Sequence, residues 1–519
     1  MILANYPLDT LPNHEECLIL KGGKIWGNMA KKRMIKNGCQ FIGREVQLAQ
    51  LKDVLYSDRP EFVAVYGRRR VGKTFLIRHA ADNKFTFYYT AANNLSKKDQ
   101  LANFALVLKD YSQQDTLNHF DSWVEAFHAL GNFIDSRPKE ENKIIFFDEI
   151  PWADSPKSSF LPAFENFWNM RCAFRSDIKV VVCGSATSWI LNKIIHNVGG
   201  LYGRLTHVFK VEPFNLYETQ KYFQFYGFKY SEIQLAEIYM ILGGIPFYFS
   251  LFQPDQSIPQ NIDRLFFFAN APLRKEFEIL YHSLYKNPSL HLDVIKTLAK
   301  KSKGLTRQEI IDSLKIKSNG AFSKVLKELE EGGFIRAYYQ FENRRTNRNK
   351  SRNNIIYQLI DLFSLFYLKF VKEYDLKNET FWEANYNTPK LNTWRGLSYE
   401  TLCLWHIPQI KQALGINGVS SSVCAWMGEN QEREKAQIDL LIDRDDNVIN
   451  LCEAKWHKEK LAINKDMQND LLRKLKIFYE VTKTRKTVMI TLISTSGVKI
   501  NQYRDVVQKE IVLSQLFKY

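Results

Sequence analysis

The sequence predicts an α/β protein of several domains: a parallel sheet built around a phosphate-binding loop, a helical segment, a winged helix-turn-helix and a second α/β unit at the C-terminal end. Three observations carry this. From about residue 41, short and continuously apolar stretches alternate with amphipathic helical ones, the pattern of a parallel sheet covered on both faces. A glycine-rich loop, GRRRVGKT (67–74), joins the first such strand to a helix. Far downstream, AQIDLLIDRDDNVINLCEAKW (436–456) sets an acid in one short strand and an acid and a lysine two apart in the next. Buried strands seldom carry charge without a role for it.

A chain of 519 residues is too long for one core and suggests roughly two to four domains. Its 45% hydrophobic and 25% charged residues are those of an ordinary globular protein, which excludes a disordered or fibrous class. The formal net charge of +16 favours a polyanionic partner, nucleic acid first. Cys17, Cys39, Cys172, Cys183, Cys403, Cys424 and Cys452 form no CxxC pair, which fits a reducing, cytoplasmic setting with neither a disulfide frame nor a zinc site. Residues 1–40 read as an N-terminal extension without clear periodicity or a signal-peptide core, and Met29 or Met34 is an alternative start. The longest apolar runs are interrupted by Gly-Gly-Ile-Pro or by Asp361 and Lys369 and fall short of the ~20 residues of a membrane span.

The elements follow in order. Residues 41–213 form the sheet domain: EFVAVYG is a strand, GKTFLIRHAA opens a helix and KFTFYYT is a second strand. Helical stretches near 97–109 and 119–135 come next, then strands KIIFFD, KVVVCGS and, within LTHVFKVEPF, a fifth. Residues 214–288 turn helical. Residues 289–360 read as helix, helix, turn, helix and strand, then a basic loop and a second strand, a winged helix-turn-helix. Residues 361–389 are a helical connector, and 390–519 form the last α/β unit.

GRRRVGKT satisfies G-x4-G-K-[ST] between a strand and a helix. Gly67 and Gly72 let the backbone curl so that the amides of Arg68, Arg69, Arg70 and Val71 face phosphate oxygens at a helix N-terminus. Lys73 would reach the β- and γ-phosphates of ATP and Thr74 would ligate Mg²⁺. Asp148 and Glu149 end the strand IIFFDE; Asp148 would hold Mg²⁺ and Glu149 would polarise the attacking water. Ser185 ends the next strand, as a γ-phosphate sensor or a plain turn. Arg204, in LYGRL, is an arginine finger, a sensor or an ordinary surface residue.

FIGRE (41–45), GRRRVGKT, FFDEIPW, GSATSW, LYGR and GGIPFY (243–248), in that order, resemble the archaeal-type, AAA+/STAND-like ATPases. The later stretches WRGLSYETLCLW, AQIDLLID and CEAKW resemble the PD-(D/E)xK, restriction-endonuclease-like module that accompanies them. The resemblance spans about residues 41–495. It implies an ATPase core, a helical lid, a winged helix and a nuclease-like domain, and it makes Gly244 and Pro246 a feature that contacts nucleotide.

The C-terminal residues supply the parts of such a module: a helix with Glu400, three strands, a helix and a strand. Glu453 and Lys455, two apart, project from one strand face, and Asp439 on the neighbouring strand can converge with Glu453 on Mg²⁺. Lys455 would orient the nucleophilic water and Glu400 would add an outer acid. Ile438 stands where the motif has proline, which puts cleavage, though not metal binding, in question; plain salt bridges are the alternative. Arg344, Arg345, Arg348, Lys350 and Arg352 crowd the wing, with Lys315, Lys317 and Lys324 beside the recognition helix. They suit DNA phosphates, a solvated hairpin tip, or an intramolecular hinge. The functional expectation is an ATP-hydrolysing, DNA-binding protein, capable of self-assembly, that cleaves DNA in a Mg²⁺-dependent, ATP-gated manner. The alternatives are a nucleotide switch with an inactive nuclease-like platform and a chaperone-like ATPase.

Overall fold

The structure, a computed structural model, describes residues 41–113, 119–197, 199–341, 355–374 and 378–518. Among the described residues two compact units emerge, divided between residues 213 and 214. Arg344, Arg345, Arg348, Lys350 and Arg352, expected on a wing, lie outside the described residues, as do residues 1–40.

In the first unit, helix α1 (Glu45–Leu55) precedes strand β1 (Glu61–Tyr66), helix α2 (Lys73–Ala80) and strand β2 (Phe87–Thr90). Helices α3 (Lys97–Ser112) and α4 (Trp123–Asp135) start on Ser96 and Ser122, each accepting a hydrogen bond from a first-turn amide. The cap on Ser122 is why α4 begins later than residue 119, where periodicity alone would place it. Strand β3 (Lys143–Asp148), helix α5 (Phe160–Phe167), β4 (Ile178–Gly184) and β5 (His207–Lys210) complete the unit. The five strands are parallel in the order β2-β3-β4-β1-β5. β1, β3 and β4 are buried almost throughout, which explains why they read as unbroken apolar runs. An aromatic core of Phe62, Phe87, Phe104, Trp123, Phe127, Phe147 and Phe164 fills one face.

The second unit begins with helices α6 (Leu216–Phe225) and α7 (Glu232–Leu242), both started by capping boxes, on Asn215 and Ser231. Shorter helices follow, among them Pro246–Phe249 and Glu276–Leu284. Helices α8 (Ser289–Leu298), α9 (Arg307–Leu314) and α10 (Gly320–Glu331) pack with an antiparallel sheet of β6 (Leu305–Thr306), β7 (Ile335–Tyr339) and β8 (Ile355–Leu359), ordered β6-β8-β7. Helix α11 (Pro389–Trp405) leads to a second five-stranded sheet: β9 (Ser421–Glu429), β10 (Lys435–Arg444), β11 (Val448–Lys455), β12 (Thr487–Ser494) and β13 (Lys509–Val512). Its order is β13-β12-β11-β10-β9. β9, β10 and β11 form an antiparallel meander, and α12 (Lys465–Thr482) is the crossover that brings β12 parallel to β11. β13 escapes the sequence reading because four residues leave no periodicity to detect.

A buried ion pair ties α7 to α11. The Arg395 guanidinium donates from Nε (3.1 Å) and Nη2 (2.8 Å) to Glu237 Oε1, and the Tyr386 hydroxyl donates to Oε2 at 2.7 Å. Both charged side chains are almost wholly buried. His406 is equally buried: its Nε2 accepts from the Leu216 amide at 3.0 Å, and burial pushes its pKa down to about 4. Among the described residues, no helix is long and apolar enough to cross a membrane.

Candidate nucleotide site and C-terminal charged cluster

The register of the first sheet brings the critical strand ends level. Tyr66 pairs with Gly184, Phe147 with Val182, and Thr90 with Asp148. Gly67, Asp148 and Ser185 therefore emerge at one carboxyl edge. A Cβ on Gly67, at φ +143°, would lie 2.1 Å from the Val211 carbonyl oxygen, so only glycine lets the loop start here. Gly72 caps α2 in the left-handed region (φ +92°). Arg70 is likewise left-handed at φ +68°, which helps turn successive amides of a loop inward. The FIGRE segment packs beside it, Phe41 stacking on Phe75 at 5.8 Å and Arg44 donating to the Glu212 carbonyl at 2.7 Å.

Lys73 is buried, and its ammonium donates to the carbonyls of Gly67 and Arg68, both at 3.0 Å. Loop carbonyls hold the charge where a phosphate group would take it over. Thr74 Oγ1 donates to Asp148 Oδ2 at 2.8 Å. Burial and the neighbouring Glu149 raise the Asp148 carboxyl above its ordinary value, against Thr74 and Lys73. A buried acid short of compensating charge beside a threonine hydroxyl is a donor set that fits Mg²⁺. Glu149 adopts a left-handed backbone (φ +48°), and its carboxylate accepts from both the amide (3.1 Å) and the hydroxyl (2.9 Å) of Ser185. Lys73, Thr74, Asp148, Glu149 and Ser185 thus form one connected group. Arg204 stands apart, exposed in the turn that ends at Arg204, with no hydrogen-bonded partner for its guanidinium among the described residues. Gly244 and Pro246 lie in the other unit, between α7 and the Pro246–Phe249 helix; Gly244 is left-handed and its carbonyl accepts from the Phe214 amide at 2.8 Å.

In the second unit, Leu440 on β10 pairs with Cys452 on β11, so Asp439 and Glu453 are consecutive across the two strands. Asp439 sits where the β9–β10 register shifts, between Ile438 and Leu441, an irregularity of the sort that re-aims a side chain. Glu453 Oε1 receives Lys455 at 2.8 Å and Oε2 receives Lys474, from α12, at 3.0 Å. Burial alone would raise the Glu453 carboxyl, but the two ammonium groups outweigh it and hold it low. Glu400, on α11, is pushed up to about 7 by burial and by the charges of Asp439 and Glu453. Asp439 accepts from Gln437 Nε2 at 3.1 Å and faces the Lys303 ammonium at 3.4 Å. Glu400, Asp439, Glu453 and Lys455 are thus neighbours. Among the described residues no group of three or more acidic, His or Cys side chains is arranged at metal-ligand distances; lysines occupy those oxygens.

Two members of this cluster escape sequence reasoning. Lys474 could have been found, since it lies four residues from Asp470 on an amphipathic helix and bridges to it at 3.2 Å. Nothing in the sequence signals Lys303, which reaches Asp439 across 136 positions.

The chain is 25% identical over 441 residues to an uncharacterized protein of Methanocaldococcus jannaschii, covering 84% of this chain and 92% of the relative. Among solved structures, similarity extends to a Walker-type ATPase of Pyrococcus abyssi (16% identity, TM-score 0.44, 63% of this chain and 96% of that one). It extends also to the ORC2 protein of Aeropyrum pernix in complexes with ADPNP and ADP (11% identity, TM-score 0.37, 67% and 98%). Residues 41–252, from FIGRE through the glycine-rich loop and into the first helices of the second unit, match the model of an ATPase domain predominantly from Archaea.

Proposed function

We propose that the protein hydrolyses ATP at Lys73, Thr74, Asp148, Glu149 and Ser185, and that its C-terminal sheet is a nuclease-like domain cleaving phosphodiester bonds in DNA with Mg²⁺. Lys73 would exchange its loop carbonyls for the β- and γ-phosphate oxygens, and Glu149 would accept a proton from the attacking water. Ser185 supports that role by holding the Glu149 carboxylate in one orientation. Mg²⁺ held near Thr74 and Asp148 would neutralise charge on the phosphates. Helices α8–α10 with β6–β8 are read as a winged helix, with exposed Lys324 and Lys327 on α10 available to DNA phosphates.

One observation carries the cleavage reading: α11, β10 and β11 bring Glu400, Asp439, Glu453 and Lys455 together from three elements. Once released from their lysines, these carboxylates would offer hard oxygen donors of the kind a divalent ion takes, and such an ion would acidify a bound water there. Purified protein is incubated with supercoiled, linear and single-stranded DNA, with Mg²⁺ or Mn²⁺, with and without ATP. Nicking lost on Asp439→Ala, and ATP dependence lost on Lys73→Ala, supports the reading. Intact DNA alongside ATP turnover favours the second reading, a nucleotide switch with an inactive platform, which the lysine-occupied carboxylates support.

A further inference from the structure

The contact between Lys303 and Asp439 joins two modules of the second unit. Lys303 belongs to the loop between α8 and β6, and Asp439 to the middle of β10. The ammonium lies 3.4 Å from Oδ1 and 3.5 Å from Oδ2, facing both oxygens of the carboxylate. The loop beneath it is fixed. The Tyr338 hydroxyl donates to the Lys303 carbonyl at 2.8 Å, and Gln358 Nε2 donates to the Ser302 carbonyl at 2.6 Å. Gly304, at φ +85°, leaves no room for a side chain, since a Cβ would meet the Tyr357 carbonyl oxygen at 2.5 Å.

The module carrying that loop is seated on the C-terminal sheet. Past β7, Gln340 bridges to Ala425 of edge strand β9, and the Phe341 amide donates to the Ala425 carbonyl at 2.8 Å. The Phe341 ring packs on Phe478 of α12 at 5.3 Å, and Tyr338, Ile356 and Ala425 form a small apolar cluster. The position of the lysine over Asp439 is therefore set by a short strand junction and a few apolar contacts.

We propose that Lys303 is a tethered cation that competes with a divalent metal for Asp439, so that the seated α8–α10 module keeps the C-terminal site switched off. The inference rests on reading that site as metal-dependent. An ammonium facing both oxygens of the carboxylate takes up part of its donor capacity and places like charge beside any cation that binds there, so metal binding is weakened while Lys303 stays. Unseating the module, by breaking the junction at Ala425, would carry Lys303 away from Asp439.

The test measures Mn²⁺ binding by the full-length protein, without nucleotide, using the paramagnetic signal of free Mn²⁺. Wild type, Lys303→Gln, Lys303→Arg, Asp439→Asn and the Lys303→Gln/Asp439→Asn double variant are compared. Lys303 is half-exposed, so its replacement leaves the fold intact. The expected result is an Asp439-dependent site about threefold tighter in Lys303→Gln, the loss of one partly exposed ion pair of roughly 0.7 kcal/mol, with Lys303→Arg close to wild type. Equal Asp439-dependent binding in wild type and Lys303→Gln overturns the switch and leaves the metal-site reading standing. No Asp439-dependent binding in either overturns both.

Discussion

The Glu237–Arg395 pair allows the sharpest quantitative test. In Arg395→Met the side chain keeps its approximate bulk but loses the charge, and Glu237 Oε1 loses both guanidinium donors while Oε2 keeps Tyr386. Arg395 also donates to Asn392 at 2.9 Å and to the Tyr386 carbonyl at 2.9 Å, so those acceptors lose a partner too. Stranding one charge of a buried pair costs about 3–5 kcal/mol. With a urea m-value of about 3 kcal/mol/M, the transition of this unit shifts down by about 1–1.7 M. The Arg395→Met/Glu237→Gln double variant removes the stranded charge and recovers more than half of the loss. Urea titrations followed by circular dichroism and tryptophan emission read both quantities; Trp382 and Trp394 lie close by, their rings 5.5 Å apart. A shift below about 0.3 M for the single variant, or a double variant no more stable than the single, refutes the reasoning.

Three further outcomes are expected. Gly67→Ala places a methyl group against the Val211 carbonyl and lowers the affinity for a fluorescent ATP analogue at least tenfold, measured by anisotropy. Ser185→Ala removes the hydroxyl that holds Glu149, a charge-assisted bond of roughly 1.5–3 kcal/mol; steady-state ATP turnover falls about 10- to 100-fold while nucleotide affinity stays within about threefold. His406 has its folded pKa depressed to about 4 from an unfolded value of about 6.5. Its contribution of about 3 kcal/mol is therefore full above pH 6.5 and is lost as pH falls toward 4. Urea midpoints at pH 7.5 and 5 show a loss that shrinks in His406→Asn, whose amide oxygen can still accept from Leu216.

The grouping of Lys73, Thr74, Asp148 and Glu149 was legible because its sequence signals are local. The loop 67–74 is contiguous, and Asp148–Glu149 end an apolar run, so spacing and period suffice. The bond from Ser185 to Glu149 follows once both are placed at strand ends. Strand order was not legible: nothing in the periodicity says that β4 inserts between β1 and β3. In the C-terminal cluster, Glu453 and Lys455 announce themselves by their two-residue spacing, whereas the lysines that occupy the carboxylates come from elements 21 and 136 positions away. Long side chains that meet across such distances leave no local pattern. Arg204 could be read as a candidate only because a turn motif surrounds it, and its exposed guanidinium has no hydrogen-bonded partner among the described residues.

The position of β1 in the sheet has a consequence for synthesis. Its two neighbours, β4 and β5, are both made long after it, since Tyr66 waits for Gly184 on one side and Val65 for Phe209 on the other. At about 10 residues per second, the strand Glu61–Tyr66 leaves the ribosome roughly ten seconds before either partner exists. During that interval a segment that is apolar from Phe62 to Val65 has both hydrogen-bonding edges open, the condition under which strands pair with the wrong chain. The phosphate loop cannot close until that wait ends, so a nascent chain gains nucleotide affinity only after residue 211 has emerged, and truncations short of that point should be recovered as aggregates.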